Sequence, residues 1–235
     1  MKKYSKRITF LRNLITETSY SFDQGISLLK EVGNAKFLES VEAHVSLNID
    51  PKYANQQLRT SLVLPYGTGK SLKIAVLTDA DYVNEALKLG ATKAGSDDLI
   101  EEINAGKLDF DILITTPQLM PKLAKLGRVL GPKGLMPSPK SGTVTQNLKE
   151  AITQFKQGKL EYRADKTGIV HLSFGKNNFS EEQLKENLLA VYSSIERNKP
   201  TGVKGKYFKS FYICTTMSPG IKLEINTFKK SSLGY

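Results

Sequence analysis

The sequence contains little cysteine and histidine. Its 235 residues include one cysteine, Cys214, and two histidines, His44 and His171. A single cysteine excludes an intrachain disulfide and a cysteine metal cluster, and with two histidines no metal site and no cofactor are expected. Because Cys214 lies in the apolar run FYICTTM, its thiol is predicted to be buried and inert. Both histidines fall on predicted strands and are interpreted as structural or contact residues.

The sequence also lacks any apolar run long enough to cross a membrane, which takes about 20 residues. Its first stretch, MKKYSKRITFLRNL, is basic, but it has neither a long apolar region nor a small-residue cleavage site. These absences predict a protein that is not secreted, that has no membrane partner and that works in a cytosol-like compartment.

Acidic residues are outnumbered by basic ones. There are 34 Lys and Arg against 23 Asp and Glu, which gives a net charge of +11 and a pI of about 9.5. Such an excess favours a polyanionic partner, and nucleic acid is the first candidate. An anionic membrane surface and a chain that is merely basic are the alternatives.

The sequence also lacks the residue patterns that are typical of catalytic sites. We find no Ser-His-Asp spacing, paired-carboxylate pocket or metal triad, so we predict that the chain is not an enzyme. The stretch LPYGTGKSLKIAV, residues 64–76, resembles a phosphate-binding P-loop, which requires G-x-x-x-x-G-K-[ST] followed by a helix. Here Leu64 stands at the first glycine position, and the apolar run 72–77 predicts a strand. We interpret this stretch as a hinge between domains; a nucleotide-binding switch using the loop 67–71 is the alternative function.

The order of predicted elements indicates two kinds of structure. Helix 22–32 and strands 41–49 and 58–64 come first, and the two strands are expected to pair with each other. Strand 72–77, helices 81–88 and 97–105, strand 110–115 and helix 146–156 then alternate, which is typical of a small doubly wound parallel sheet. A hairpin with its turn at Asp165–Gly168, a capped helix at 180–195 and two strands follow, and 229–235 is predicted to be disordered.

This order predicts an α+β protein of two domains, in which an α/β domain is inserted into a split α+β domain. The split domain comprises residues 1–66 together with 159–235, and the insert comprises residues 67–158. Because two connections join the domains, mutual movement is expected.

The stretch 121–145 is basic and rich in proline and glycine. No acidic residue occurs between Asp111 and Glu150. A basic loop stiffened by proline, with glycines exposing backbone N–H groups, suits contacts to phosphate oxygens, although a solvated connecting loop would have the same composition. From Pro121 to Lys149 the basic residues are Lys122, Lys125, Arg128, Lys133, Lys140 and Lys149.

A second basic region near the C-terminus is interleaved with aromatic residues. Such a pattern suits base stacking beside phosphate contacts in RNA recognition, but aromatics at strand spacing also belong to cores. The basic residues are Arg197, Lys199, Lys204, Lys206 and Lys209, and the aromatics are Tyr207, Phe208, Phe211 and Tyr212. Lys36 and Phe37, before the first strand, are a further candidate pair.

Several ordered motifs resemble the ribosomal protein L1 family of the large-subunit stalk. LGRVLGPKGLMPSPKSGTV is similar to the family signature. AKFLESVEAHVSLNIDPK, LPYGTGK, ATKAGSDDLIEEI, DFDILITTPQLM, EYRADKTGIVHLSFGK and NKPTGVKGKYFKSFYICTTMSPGIKL extend the agreement over nearly the whole chain. The resemblance implies two domains, the first built from both chain ends and binding RNA, and the second a Rossmann-like insert.

Site residues are implied by the same resemblance, motif by motif. The first domain of the family binds the stalk region of large-subunit ribosomal RNA, and the insert's basic residues from Lys122 through Lys140 would form a secondary RNA contact. The implied ribosomal RNA contacts are Lys36, Phe37, Ser40, Asp165, Lys166, Thr167, Gly168, His171, Ser210, Thr216, Met217, Ser218 and Pro219.

This sequence departs from the family pattern at two of these positions. Family members commonly have Gly where Ser218 stands, so a side chain there is expected to weaken RNA binding or shift its geometry if the backbone of the RNA approaches closely. Ser40 stands where Thr is common and keeps the hydroxyl.

The resemblance also implies partners and a location. The stalk contacts the outgoing exit-site tRNA and assists the release of deacylated tRNA, and bacterial members repress translation of their own messenger RNA. The chain would be a monomer within a ribosome, in the stroma of a plastid (chloroplast) or in a bacterial cytoplasm. A regulatory RNA binder acting away from the ribosome is a further alternative.

Overall fold

The computed structural model describes residues 4–203 and 205–232, and they form two compact units. The first unit combines Met1–Gly69 with Tyr162–Tyr235, and the second is Lys70–Glu161. The mixed α/β class predicted from the sequence is confirmed. The units end three residues after the predicted domain boundaries, at 69 and 161 rather than 66 and 158. That these units act as separate domains stays a prediction.

Both helices and strands occur throughout the described part of the chain. None of the helices there is both long and apolar enough to cross a membrane. The helices are α1 (Lys6–Leu14), α2 (Phe22–Val32), α3 (Ala80–Lys88), α4 (Asp97–Asn104), α5 (Met120–Ala124), α6 (Gly127–Leu130), α7 (Leu148–Lys156), α8 (Glu181–Arg197) and α9 (Ile225–Ser232). The strands are β1 (Ser40–Leu47), β2 (Arg59–Val63), β3 (Ile74–Leu77), β4 (Lys93–Gly95), β5 (Ile112–Thr115), β6 (Lys159–Arg163), β7 (Ile169–Lys176), β8 (Phe208–Thr215) and β9 (Ile221–Leu223).

The first unit is built around an antiparallel four-stranded sheet with the order β7-β1-β8-β9. Strand β1 alternates between buried and half-buried residues, as its sequence pattern predicts for a strand with one covered face. The buried residues of β1 are Val41, Ala43, Val45 and Leu47.

Helices α2, α8 and α9 pack against the buried side of this sheet. Capping boxes begin α2 at Ser21 and α8 at Ser180. Each serine hydroxyl accepts a hydrogen bond from the backbone N–H of the glutamine three residues later, and the side-chain oxygen of that glutamine accepts one from the serine N–H. Phe228 of α9 stacks on Tyr192 of α8, with ring centroids 4.8 Å apart, and contacts Phe211 of the sheet. The helical layer therefore covers one side of the sheet.

The second unit contains a parallel three-stranded sheet with the order β4-β3-β5. All four residues of β3 are buried, as expected for a central strand covered on both faces. Ala75 and Leu77 pack with residues of α4, α5 and α6, whereas Ile74 and Val76 pack with residues of α3 and α7. The predicted doubly wound arrangement is thus observed in this unit.

Several sequence-based expectations were wrong. Strand β1 pairs with β7 and β8 rather than with β2. The sequence did not predict α1, β4, α5, α6 or α9. Helix α6 lies inside the stretch 121–145 that we expected to be irregular, and α5 overlaps its start. Helix α9 reaches Ser232, so 229–232 is helical rather than disordered; residues 233–235 lie outside the described residues.

Candidate nucleic-acid interface

The second face of the four-stranded sheet carries polar side chains and is here called the open face. On β1 it presents Ser40, Glu42, His44 and Ser46, all half-buried. Cross-strand pairing places Lys176 and His171 of β7, and Ser210, Tyr212 and Cys214 of β8, beside them. A sheet with one uncovered polar face gives RNA a broad surface for contact.

At one end of β1, six of the predicted RNA contacts meet in a cluster that we call the corner. The Ser40 N–H donates to the Thr216 hydroxyl at 3.0 Å, and the Thr216 N–H donates to the Ser40 carbonyl at 3.1 Å. Phe37 is 54% exposed and Met217 is 48% exposed, so two large apolar side chains face solvent. The corner consists of Lys36, Phe37, Ser40, Thr216, Met217 and Ser218.

Glu39 holds the corner together and was missed by the sequence analysis. Its carboxylate is 1% exposed and accepts hydrogen bonds from the Met217 N–H at 2.9 Å and the Thr215 hydroxyl at 3.0 Å. The Ala35 N–H also donates to it, at 3.3 Å. One buried side chain therefore links the segment before β1 to the segment after β8. In the sequence, the available signal for this role was the position of the glutamate directly before β1.

Ser218 uses its side chain inside the turn that follows β8. Its hydroxyl accepts a hydrogen bond from the Thr215 N–H at 2.9 Å and donates to the Pro219 carbonyl at 3.2 Å. The Ser218 side chain therefore stabilises this turn by hydrogen bonding, whereas a glycine at this position would supply conformational freedom instead. Its effect on RNA binding stays a prediction.

The predicted turn Asp165–Gly168 is observed, and it lies at the opposite end of β1 from the corner. The hairpin predicted around this turn was wrong, because β7 pairs with β1 and is joined to the other side of the turn by a single bridge, Ala164–Val170, among the described residues. The Leu47 N–H donates to the Gly168 carbonyl at 3.0 Å, which fixes the turn beside the end of β1. The Asp165 carboxylate accepts from the N–H groups of Ile169 and Thr167 at 2.8 and 2.9 Å. The hydrogen bond from Ile169 is the main reason that the pKa of Asp165 lies below its usual value. Lys166 and Thr167 are exposed at the turn's tip.

His171 lies between these two ends, in the middle of the open face. Its Nδ1 is 2.8 Å from Nδ1 of His44, its cross-strand partner, and its Nε2 is 3.7 Å from an Asp165 oxygen. Burial lowers the pKa of His44, and the neighbouring His171 lowers it further. Burial raises the pKa of the Cys214 thiol to about 11, and Cys214 is half-buried rather than buried as predicted. The predicted contacts therefore form two clusters joined by a polar strip.

Substitution of Gly168 tests how closely the turn packs against the end of β1. Gly168 has φ +79°, and a Cβ there would lie 3.0 Å from the Ile49 carbonyl oxygen. We expect Gly168→Ala to lower the free energy of unfolding by about 2 kcal/mol, because left-handed strain alone is worth roughly 1–2 kcal/mol. Urea unfolding measures this. Gly205→Ala is the matched control, since Gly205 has φ +77° and open space around it; equal losses for both variants would contradict the contact with Ile49.

The second basic region contributes less aromatic surface than expected. Tyr207 and Phe211 are buried, and Phe208 stacks on Tyr192 with ring centroids 5.0 Å apart. Tyr212 is exposed on the open face. Lys204 lies outside the described residues. Tyr212 is therefore the ring of this region best placed for base stacking, because Tyr207 and Phe211 belong to the core and the half-buried Phe208 already stacks on Tyr192.

In the second unit, the basic stretch forms an exposed surface over an apolar base. Leu123, Leu126 and Leu130 are buried, whereas the basic side chains between them point outward. Lys122 forms an ion pair with Asp97 at 2.7 Å. Lys125, Arg128, Lys133 and Lys140 are also exposed in this stretch, whereas Lys149 is exposed on α7, which packs on the other side of the sheet.

The stretch that resembles a P-loop has a different geometry. A strand, β3, follows Ser71, so no helix begins there as a P-loop requires. Lys70 forms an ion pair with Asp111 at 2.8 Å, and this hydrogen bond is the main reason that the pKa of Asp111 is lowered. The lysine that would reach a phosphate is thus engaged by a carboxylate.

Comparison with known proteins identifies the family of the chain. Residues 29–219 match the model of the Ribosomal protein L1p/L10e family. The chain is 59% identical over 229 residues to "Large ribosomal subunit protein uL1c" of Guillardia theta, covering 97% of this chain and 98% of the relative. It is 58% identical over 226 residues to "Large ribosomal subunit protein uL1" of Prochlorococcus marinus (strain NATL1A), covering 96% of each. The chain therefore belongs to the ribosomal protein L1p/L10e family, whose members are ribosomal proteins and not enzymes.

Proposed function

We propose that this chain is a structural component of the large ribosomal subunit and binds the stalk region of its ribosomal RNA through the first unit. The corner carries this proposal, because it exposes Phe37 and Met217, together with hydroxyls and a lysine, on segments that Glu39 links by hydrogen bonds. The relatives' names, which place them in the large subunit, support the assignment.

The distribution of charge supports the first unit as the main RNA-binding part. This unit has 21 Lys and Arg against 12 Asp and Glu, whereas the second unit has 13 against 11. Most of the net charge of +11 thus belongs to the unit with the open face. Phosphate contacts from these cations supply affinity without sequence preference.

Specific recognition would come from shape. The corner, the strip around His171 and the turn at Asp165 lie along one strand of eight residues, which spans about 26 Å at about 3.3 Å per residue. A surface of that length can contact a folded RNA at several places, with hydroxyls and backbone groups reaching riboses and Phe37 and Met217 making apolar contacts.

The finer roles are part of the same proposal. The exposed basic surface of the second unit supports contact with further RNA, including the exit-site tRNA whose release the stalk assists. Repression of the chain's own messenger RNA would use the same corner and turn. The names of the relatives from Guillardia theta and Prochlorococcus marinus support work in a plastid or bacterial ribosome.

Binding of the purified chain to a stalk-sized ribosomal RNA fragment and to an unrelated duplex, across a salt series, tests the proposal. We expect the stalk RNA to bind at least a thousandfold more tightly, since specific sites exceed non-specific ones by about 10³–10⁷. Equal affinities that fall together with salt would show that charge alone explains binding.

Lys36→Ala should weaken binding of both RNAs in similar proportion and reduce the salt slope by about 1, as the loss of one phosphate contact predicts. Lys36 is exposed at the corner, beside Phe37. Lys30→Ala is the matched control, because Lys30 lies in α2, on the helical side of the sheet. An unchanged slope for Lys36→Ala, or an equal change for Lys30→Ala, would remove Lys36 from the interface.

A further inference from the structure

Three metal-binding side chains of different chemistry meet on the open face. Glu42 and His44 lie two residues apart on β1, and Cys214 is the cross-strand partner of Glu42 on β8. His44 Nε2 is 3.2 Å from Cys214 Sγ and 3.7 Å from a Glu42 oxygen. One donor atom from each of the three residues lies within 4.8 Å of the other two.

Two of these three separations are close to those around a tetrahedral zinc ion, and the third, between Cys214 Sγ and a Glu42 oxygen, is within 4.8 Å. With metal–sulfur bonds of about 2.3 Å and metal–nitrogen or metal–oxygen bonds near 2.0–2.1 Å, sulfur and nitrogen lie about 3.5 Å apart, and nitrogen and oxygen about 3.3 Å apart. The observed 3.2 and 3.7 Å need shifts of a few tenths of an ångström. Side-chain rotation supplies such shifts without moving the strands.

A second layer of hydrogen bonding already orients the histidine. Nδ1 of His44 is 2.8 Å from Nδ1 of His171, so a proton on His44 Nδ1 leaves Nε2 with its lone pair towards Cys214 and Glu42. His171 Nε2 in turn faces Asp165 at 3.7 Å. Metal-binding histidines commonly donate their other N–H in this way, which fixes the ring and its tautomer.

We propose that Glu42, His44 and Cys214 bind a zinc ion on the open face of the sheet, with His171 as the positioning residue for His44. On binding, the thiol proton of Cys214 is released to solvent and a sulfur–metal bond takes its place. Three protein ligands leave the fourth position for water or for an oxygen of a bound molecule. The number and spacing of cysteines did not predict this site, because His44 and Cys214 lie 170 residues apart and are brought together by the pairing of β1 with β8.

The test uses the full chain, freed of metal with a chelator and then titrated with Co²⁺, whose thiolate complexes absorb in the near ultraviolet. We expect one Co²⁺ per chain with a thiolate-to-cobalt band that Zn²⁺ removes by competition. Zn²⁺ should also raise the melting temperature, because it binds the folded state. The experiment needs no RNA, so its outcome is independent of the proposed function.

Variants distinguish ligands from neighbours. Cys214→Ser should abolish the band and weaken Zn²⁺ binding at least tenfold, and Glu42→Gln should weaken binding but keep the band. His171→Gln should keep the band with an affinity lower by about 10–100-fold, the usual effect of losing an orienting partner. Tyr212→Phe, on the same face, is the matched control and should bind as the unmodified chain does.

Two results would overturn the site. One is the absence of a cobalt–thiolate band in the unmodified chain. The other is an equal Zn²⁺ affinity in Cys214→Ser, or, where that variant does not fold, in Glu42→Gln.

Discussion

Replacing Glu39 with alanine is expected to weaken binding of the stalk RNA more than tenfold and to lower the free energy of unfolding by about 3 kcal/mol. The carboxylate accepts hydrogen bonds from Ala35, Thr215 and Met217 in a buried setting. Each buried donor left without a partner costs about 1–3 kcal/mol. Because the same bonds link the segment before β1 to Met217, their loss also loosens the surface that we propose for RNA.

Urea unfolding and RNA titration of the same preparation measure the two effects together. Glu39→Gln keeps an acceptor in place, so it should fall between alanine and the unmodified chain. Glu31→Ala is the control for loss of one negative charge, since Glu31 is exposed on α2. Because removing an acidic residue by itself strengthens attraction to RNA, a higher affinity for Glu39→Ala would show that the corner does not depend on this carboxylate.

Elements defined by local pattern were predicted well from the sequence. Helix α2 was predicted at its observed bounds, and α8 was predicted from its capping box and apolar stripe. The alternation of β1 gave its buried face. The pairing of β1 with β7 and β8 was not predictable in this way, because it joins residues more than 120 positions apart and the wrong neighbour, β2, had an equally suitable pattern.

The candidate site shows the same division. Phe37, Met217 and the tip of the turn at Lys166 and Thr167, which the family resemblance named, are exposed, and their contact with RNA stays a prediction. The buried position of Glu39 was not predicted. A glutamate is rarely buried unless it has hydrogen-bond partners, and folding is what brings the partners of Glu39 near it. For the same reason, the aromatics near the C-terminus could not be divided into core and surface until Tyr207 and Phe211 were seen to be buried.

Asn187→Ala is expected to lower the free energy of unfolding by about 4 kcal/mol, because one buried amide supports the loop that resembles a P-loop. Asn187 is 0% exposed. Its oxygen accepts from the Tyr66 N–H at 3.1 Å, and its nitrogen donates to the carbonyls of Gly67 and Phe174 at 3.0 and 2.8 Å. Alanine would leave these three backbone groups without partners and a cavity beside them.

Hydrogen exchange and urea unfolding separate a local role of Asn187 from a global one. If the amide organises the loop, exchange at the Tyr66 N–H should rise more than exchange within α8, in addition to the loss of stability. Asn226→Ala is the matched control, since Asn226 is exposed in α9. A loss below about 1 kcal/mol for Asn187→Ala would mean that water replaces the amide. The glycines and lysine of YGTGKS would then need another structural explanation, because a strand rather than a helix follows them.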